Sequence, residues 1–279
     1  MGAPLSGVAW AKSAGVRIAY QILGRRGPWL VLVHGLGYGR SGWGPFARLI
    51  AEERRVVLVD NRGIGESGAP PGPYSVPLMA NDIVAVLDDL GLERADVAGA
   101  SLGGMVALQL AAAHPERVQR LVLIAATPGP PQGTPFPGTT KALLAGHVKA
   151  NTKTVRRLVE GALSPVTVAE RPELVERLLA YRREEPQSLD AWRAQAAASA
   201  TWSLGVSLGD LSTPTLAVAG LDDRVINPAN TMRLALGLGR GRGVFLAPAG
   251  HLCFWEQPGL VAGAVTDFLG AKVPAEAEK

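Results

Sequence analysis

A serine flanked by glycines, in the run Gly99-Ala100-Ser101-Leu102-Gly103, is the residue group whose type and spacing indicate chemistry most directly. The run stands between a strand-like and a helix-like apolar stretch, which is the setting of a nucleophile elbow. Glycines are required in such a turn because a Cβ would clash, and the strained turn exposes the serine hydroxyl. The chain has 34 glycines, so a chance match has a probability of roughly 0.2 and placement is the stronger signal. Ser101 is therefore the candidate nucleophile.

A nucleophilic serine needs a base, and three histidines follow Ser101 in the chain. His114 precedes a proline at a helix end, where a capping role is expected. His147 lies in a helical stretch and is interpreted as a surface or lid residue. His251 follows a strand and a short loop, at the edge where open parallel sheets hold their active sites. His251 is therefore the candidate base.

The base in turn needs a carboxylate that orients it. Asp222 and Asp223 both follow the strand-like run at residues 215–220. Either one could accept a hydrogen bond from the imidazole and fix its tautomer, and the other would be a turn residue. Spacing alone does not show which of the two aspartates orients the histidine.

Short apolar runs alternate with helical patterns along most of the chain, which predicts a mostly parallel sheet with helices on both faces. The strands are predicted at residues 8–11, Val16–Leu23, Trp29–Val33, Arg55–Val59, 95–98, Val118–Ile124, 215–219 and 244–246. Helices are predicted at residues 46–53, 78–90, Leu102–Ala113 and 260–269, with another between the last two strands.

The alternation stops between about residues 127 and 211, where a Pro/Gly-rich segment leads into helical pieces. We therefore predict a core domain formed by residues 1–129 and 209–279, with a helical cap at residues 130–208. Trp192 and Trp202 lie near the end of this insertion. They are candidates for an apolar wall of the substrate site, and the alternative is that they anchor the cap.

Composition excludes several classes of protein. Hydrophobic residues make up 47% of the chain and charged residues 19%, with a net charge of +4 and no concentrated basic stripe. This indicates a compact domain without a nucleic-acid partner. No apolar run reaches the roughly 18 residues of a membrane span, no secretory signal pattern is present, and a single cysteine fits a reducing compartment. We expect a cytoplasmic protein with no cofactor, no metal and no membrane partner.

A second glycine pattern, G-x-G-x-x-G at residues 37–42, raises the alternative of a dinucleotide-binding turn. Asp60 stands near the position of a ribose-binding acid. However, residues 43–45 delay the helix that should follow, and a second glycine turn follows Asp60. Nucleotide binding also leaves the serine, acid and histidine unexplained. Asp60 and Arg62 are instead predicted to brace the loop beside the active site.

Several segments carry a resemblance to a known family. They read "HGLG", "DNRGIGESGAPPGPY", "GASLGGMVALQLAAAHPERVQRLVL", "GLDDRV" and "GHLCFWEQP". Over nearly its whole length the chain resembles an α/β-hydrolase of the esterase and lactonase kind. Residues 60–123 look most like 3-oxoadipate enol-lactonases and related esterases, whereas the insertion matches less distinctly.

The resemblance implies roles for particular residues. The family's acid stands three residues after the glycine that ends its strand, which selects Asp223 over Asp222. The pattern G-H-x-x-x-x-E-x-P makes the segment from Gly250 to Pro258 the one that carries the catalytic histidine. The backbone N–H groups of Leu36 and Leu102 would form the oxyanion hole, since attack on an ester places negative charge on oxygen.

The predicted activity is hydrolysis of a small-molecule carboxylic ester or lactone through an acyl-enzyme on Ser101, by a monomer or homodimer. Haloalkane dehalogenases and epoxide hydrolases of this fold have Asp at this position and are disfavoured. Three alternatives stay open. They are carbon–carbon bond cleavage of the meta-cleavage product type, hydrolysis of an amide or peptide, and a small-molecule receptor that retains the triad without useful turnover.

Overall fold

The chain forms a single eight-stranded sheet in the order β1-β2-β4-β3-β5-β6-β7-β8. The computed structural model describes residues 6–145, 152–184 and 187–270. The strands are β1 (Ala9–Ser13), β2 (Val16–Leu23), β3 (Trp29–Val33), β4 (Arg55–Val59), β5 (Ala95–Ala100), β6 (Val118–Ile124), β7 (Thr215–Gly220) and β8 (Gly241–Leu246). β2 pairs antiparallel with both β1 and β4, and the pairs from β4 to β8 are parallel. The predicted mostly parallel sheet is confirmed.

Helices cover both faces of this sheet, which is why its central strands are apolar without interruption. In β3, Val31 and Val33 belong to one core cluster while Leu30 and Leu32 belong to the other. The helices are α1 (Gly44–Ile50), α2 (Val76–Asp89), α3 (Leu102–Ala113), α4 (Gly138–Leu144), α5 (Thr152–Gly161), α6 (Pro165–Glu170), α7 (Pro172–Glu184), α8 (Leu189–Thr201), α9 (Ala229–Gly237), α10 (Cys253–Glu256) and α11 (Pro258–Gly270). Helices α2, α3 and α9 cover the face of Val31, and α1, α10 and α11 cover the other face.

Helices α4 to α8 lie between β6 and β7, and the described part of this region contains no strand. The helical insertion in the predicted fold is thus present, while its predicted boundaries at residues 130 and 208 stay a prediction. His147 lies outside the described residues. No helix in the described ranges is both long and apolar enough to cross a membrane.

The structure differs from the predicted elements mainly at their ends. β8 begins at Gly241, three residues before the predicted start at 244. Its first residues, Gly241-Arg242-Gly243, carry no apolar pattern, but their backbones pair in register with residues 215–217 of β7. An edge strand can be specified by backbone hydrogen bonds to its neighbour, so its side chains need not alternate.

Candidate active site

The turn from β5 to α3 holds Ser101 in a strained conformation, with φ 55° and ψ −119°. Its backbone N–H donates to the carbonyl of Ile124 at 2.9 Å, which ties the turn to β6. A Cβ on Gly103 would overlap the carbonyl oxygen of Val33, and one on Gly99 would overlap that of Gly103. Both glycines are therefore required by close backbone approach, and the turn has the geometry expected of a nucleophile elbow.

Asp223 and His251 form the central polar contact of the site. The two side chains are buried, and Nδ1 of His251 lies 2.8 Å from Oδ2 of Asp223. The other oxygen, Oδ1, accepts hydrogen bonds from the backbone N–H groups of Val225 at 2.8 Å and Ile226 at 2.9 Å. Because an ionised carboxylate can only accept hydrogen bonds, the proton of a neutral imidazole belongs on Nδ1. That tautomer leaves Nε2 as a base.

The neighbouring carboxylate, Asp222, takes a different place. Its backbone N–H donates to the carbonyl of Ala249 at 2.8 Å, which fixes the turn after β7. The structure therefore brings Asp223, and not Asp222, to the imidazole of His251.

Ser101 and His251 line a common cavity of about 120 Å³ between the sheet and the helical insertion. Leu36 and Leu102, the residues predicted to supply the oxyanion hole, line the same cavity. The rest of the wall is mainly apolar and comes from both the core and the insertion, including Met105, Phe136, Leu143, Leu158, Trp192 and Ile226.

The two tryptophans predicted as a substrate wall are separated by the structure. Trp192 lines the cavity, but Trp202 is not among its described lining residues. The Trp202 indole N–H donates to Oε1 of Gln109 on α3 at 2.9 Å, and its side chain joins the core cluster on that face. These contacts fit the predicted alternative, in which Trp202 anchors the insertion, and its role in the substrate wall stays a prediction.

The loop from β3 to α1 approaches the serine closely. A Cβ placed on Gly35 would lie 2.9 Å from Cβ and 3.5 Å from Oγ of Ser101, so the backbone that precedes Leu36 contacts the serine directly. Leu102 is the first residue of α3, where helix N–H groups have no partner within the helix and carry partial positive charge. The two predicted oxyanion-hole residues therefore flank Ser101.

His34 holds this loop through both nitrogens of its ring. The N–H of Gly35 donates to its Nδ1 at 2.7 Å, and its Nε2 lies 3.0 Å from the carbonyl of Gly42. Since Nδ1 accepts, the ring proton belongs on Nε2, which then donates to Gly42. Burial lowers the pKa of His34 to about 3. The neutral ring therefore closes the loop between residues 35 and 42.

Two of the three glycines in the G-x-G-x-x-G pattern, Gly37 and Gly42, are required for reasons unrelated to phosphate binding. Gly37 has a φ of +80°, which favours glycine. A Cβ on Gly42 would lie 2.9 Å from Cβ of Tyr38 and 3.0 Å from Nε2 of His34. The pattern therefore serves the compact turn that His34 closes.

Asp60 braces the same loop, as predicted. Its fully buried carboxylate pairs with the Arg40 guanidinium and accepts hydrogen bonds from the backbone N–H groups of Arg40 at 2.7 Å and Glu66 at 3.0 Å. Burial raises the pKa of Asp60, and these donors oppose the rise. A carboxylate enclosed in this way cannot reach a ribose, which removes the acid from the nucleotide-binding alternative.

Arg62 makes a different connection from the predicted one. Its Nε donates to Oδ2 of Asp82 on α2 at 2.7 Å, in a buried ion pair. Its carbonyl accepts a hydrogen bond from Nε2 of Gln195 on α8 at 2.7 Å. Arg62 therefore joins the core to the insertion rather than bracing the loop itself.

Arg182, on α7, brings a cation to the mainly apolar cavity, and nothing in the sequence indicated this position. Its guanidinium carbon lies 4.8 Å from the ring centroid of Tyr38, which also lines the cavity. Among the described residues, no cluster of three or more His, Cys, Asp or Glu side chains is placed to hold a metal ion.

This fold and this cavity, with a serine on a strand–helix turn and a histidine on a loop beyond β8, define the α/β-hydrolase class. The family model for the α/β-hydrolase fold matches residues 28–258. The chain belongs to this family.

Relatives within the family are named for different activities. The chain is 32% identical over 266 residues to a 2-hydroxy-6-oxononadienedioate/2-hydroxy-6-oxononatrienedioate hydrolase from Paraburkholderia phymatum, covering 91% of each chain. It is 30% identical to a pimeloyl-(acyl-carrier protein) methyl ester esterase from Aeromonas hydrophila, covering 88% of this chain and 96% of the other. The chain is also similar to the solved structure of the enol-lactonase from Burkholderia xenovorans LB400. The TM-score is 0.81 at 25% identity, and the match covers 94% of this chain and 100% of the other. The chain is a hydrolase by family.

Proposed function

We propose that this protein is a serine hydrolase that cleaves a small carboxylic ester or lactone. The observation that carries the proposal is the 2.8 Å contact of Asp223 with His251, which lines the same cavity as Ser101 on its strained turn. A nucleophile, a base and an orienting acid in these positions are the three parts that acyl transfer requires.

In the first half of the proposed reaction, Ser101 Oγ attacks the carbonyl carbon while Nε2 of His251 takes the hydroxyl proton. The backbone N–H groups of Leu36 and Leu102 donate to the oxygen that becomes negative in the tetrahedral intermediate. One such donor is typically worth about 3 kcal/mol of barrier. The imidazolium then gives its proton to the leaving alkoxide, and an acyl-enzyme remains.

In the second half, His251 takes a proton from water, whose oxygen attacks the acyl carbon. The second tetrahedral intermediate uses the same two N–H donors, and its collapse returns the proton to Ser101 Oγ. Asp223 stays ionised throughout and stabilises the imidazolium that forms in each half.

The character of the cavity supports an ester or lactone with an apolar acyl portion. Its walls are mainly side chains such as Met105, Phe136, Leu143 and Trp192, which offer dispersion contacts and few hydrogen bonds. The methyl ester esterase and the enol-lactonase among the relatives act on substrates of these two kinds.

The proposal is tested by a panel of p-nitrophenyl esters of increasing acyl length together with several lactones. Ser101→Ala is expected to lower kcat/KM by at least about 1,000-fold on every substrate that the wild type accepts. Ser199→Ala is the matched control, since Ser199 lines the same cavity but its hydroxyl donates to the Gln195 carbonyl at 3.0 Å. Retained activity in Ser101→Ala would refute the mechanism, and tight binding without turnover in the wild type would favour a receptor.

A second candidate is hydrolysis of a carbon–carbon bond in an acidic oxo-acid, and Arg182 is the observation that favours it. A guanidinium at the wall of an apolar cavity is a suitable partner for a substrate carboxylate. The relative from Paraburkholderia phymatum is named for a dioate, a substrate that carries such groups.

Arg182 also provides the measurement that separates neutral from acidic substrates. We expect Arg182→Gln to raise KM by about 10- to 100-fold for an ester or oxo-acid that carries a carboxylate, the value of one charged hydrogen bond. It should leave a neutral ester of equal length nearly unchanged. The exposed neighbour Arg183 gives the control, Arg183→Gln. Equal effects on both substrates would contradict a carboxylate-binding role.

A further inference from the structure

The loop that carries His251 lies against the helical insertion on both sides of the histidine, with a backbone hydrogen bond on one side and a close backbone approach on the other. The N–H of Leu252 donates to the carbonyl of Ala162 at 3.0 Å. On the other side, a Cβ on Gly250 would lie 2.8 Å from that carbonyl oxygen and 2.6 Å from the carbonyl carbon of Leu163. The backbone at residues 162–164, here called the clasp segment, therefore lies directly against the histidine loop.

Glu256 joins the same two segments through its side chain. Its Oε2 accepts a hydrogen bond from the N–H of Gly250 at 2.6 Å, and its Oε1 accepts one from the N–H of Ser164 at 2.8 Å. The side chain is buried, and the Glu256 carbonyl accepts a further bond from Arg171 of the insertion at 2.7 Å. Both carboxylate oxygens are thus engaged by backbone donors from different parts of the chain.

The clasp segment also reaches the substrate cavity, because Ala162 lines it together with Leu252 and His251. One short stretch of the insertion therefore contacts the space where a substrate would lie and holds the backbone next to the candidate base. Asp223 orients the imidazole ring at Nδ1, but it does not determine where the backbone of the loop lies.

We propose that Glu256 is a positioning residue that fixes the distance between His251 and Ser101 by bonding the histidine loop to the clasp segment. This inference rests on the proposed function. The insertion is then part of the catalytic apparatus as well as a cover, since the loop of His251 is held from its side. Proton transfer from Ser101 depends on that distance, and a misplacement of about 1 Å can cost about 100-fold in rate.

Glu256→Gln tests the inference with little change of shape. An amide offers one acceptor, and its NH₂ group would face either the Gly250 or the Ser164 N–H, so one of the two bonds is lost. Glu52→Gln is the control, because Glu52 is an exposed carboxylate on the surface of the core domain. Circular dichroism and thermal unfolding establish that each variant folds.

The first readout is the rate at which a fluorophosphonate modifies Ser101, followed by intact mass. In this reaction the serine displaces fluoride from phosphorus, and the displacement requires a correctly placed base. The measurement can be made without knowing the natural substrate. We expect modification to slow by about 10- to 100-fold in Glu256→Gln and to stay at the wild-type rate in Glu52→Gln. The second readout is the proton resonance of the His251 Nδ1–H, which should shift or broaden only in Glu256→Gln.

Equal rates and an unchanged His251 resonance in a folded Glu256→Gln variant would overturn the inference while leaving the proposed function intact. If Glu256→Gln does not fold, Arg171→Gln is measured instead, since it removes the bond to the Glu256 carbonyl and, apart from that, an exposed ion pair with Glu173 at 3.9 Å. Modification of Ser101 that is severalfold slower in Arg171→Gln then supports the inference. An unchanged rate contradicts it. A wild type that is not modified at Ser101 would instead refute the proposed function, and the resonance alone would then judge the role of Glu256.

Discussion

The adjacent carboxylates Asp222 and Asp223 follow β7 and have different roles, although spacing in the sequence does not distinguish them. Asp223 is held by two backbone N–H groups at one oxygen, which leaves its other oxygen for His251. Asp222 contributes a backbone bond to the turn. The difference is set by the path of the chain after Gly220 and not by the chemistry of the side chains.

This difference predicts unequal effects of two identical substitutions. Asp223→Asn should lower kcat/KM by about 10,000-fold, because an amide can donate to Nδ1 and stabilise the wrong tautomer of His251. Asp222→Asn should stay within a few-fold of the wild type. Steady-state kinetics on the best ester of the panel would measure both, and a larger loss in Asp222→Asn would overturn the assignment of the acid.

At the same scale, residue types and spacing predicted Ser101 and His251, because each follows a strand-like run at a recognisable turn. Asp223 required the resemblance to a family. Arg182 carried no signal, since α7 reaches the cavity only through the folding of the insertion. Glu256 belongs to the family pattern around His251, but its contact with the insertion was not predictable, because its partner at Ser164 is distant in sequence and is a backbone group.

Among the elements, the loop between β3 and α1 depends on a neutral histidine. His34 accepts from Gly35 and lies within hydrogen-bond distance of the Gly42 carbonyl, and burial lowers its pKa to about 3 from the ordinary 6.5. Protonation would place a second ring proton against the Gly35 N–H. The loop that supplies the Leu36 amide is therefore stable only while the ring is uncharged.

The lowered pKa gives a pH dependence of stability whose sign is fixed. The unfolded chain takes up a proton near pH 6.5 and the folded chain only near pH 3, so the contribution of His34 is complete above 6.5 and is lost as the pH falls toward 3. We expect the free energy of unfolding to fall by up to about 1.4 kcal/mol per pH unit in this window from His34. Urea unfolding between pH 7 and 4.5 should show a shallower slope for His34→Gln than for the wild type.

His114 offers the control for that measurement, because its side chain is about one-third exposed, at 35%. His114→Gln therefore shows what the loss of a histidine outside this loop does to the slope. A slope that His34→Gln leaves unchanged would show that the ring is not buried as a neutral group.

The strands and helices of the core could be predicted because burial on both faces requires continuous apolar runs in the central strands. The start of β8 could not be predicted, since Gly241, Arg242 and Gly243 have no apolar pattern and join the sheet through backbone pairing with β7. The loop closed by His34 has a glycine pattern that a phosphate-binding turn would also show. Such a pattern indicates a close backbone approach, but it does not indicate which group approaches.

For the whole molecule, the absence of a strand pattern between residues 127 and 211 was enough to predict a helical insertion. How the insertion joins the core was not predictable, because several of the bonds that do so come from single side chains. Gln195 reaches the Arg62 carbonyl, Trp202 reaches Gln109, and Glu256 reaches Ser164. Each of these contacts spans a large sequence separation and has no local pattern.

The central claim is that catalysis passes through a covalent intermediate on Ser101, and a slowly released carbamoyl group tests it most directly. Incubation with a p-nitrophenyl N-alkyl carbamate should release one equivalent of p-nitrophenol per chain, abolish esterase activity and add one carbamoyl mass to the peptide that contains Ser101. Ser101→Ala should show neither release nor adduct. An adduct on any other residue, or ester turnover by a wild-type chain that the carbamate leaves unmodified, would contradict the account.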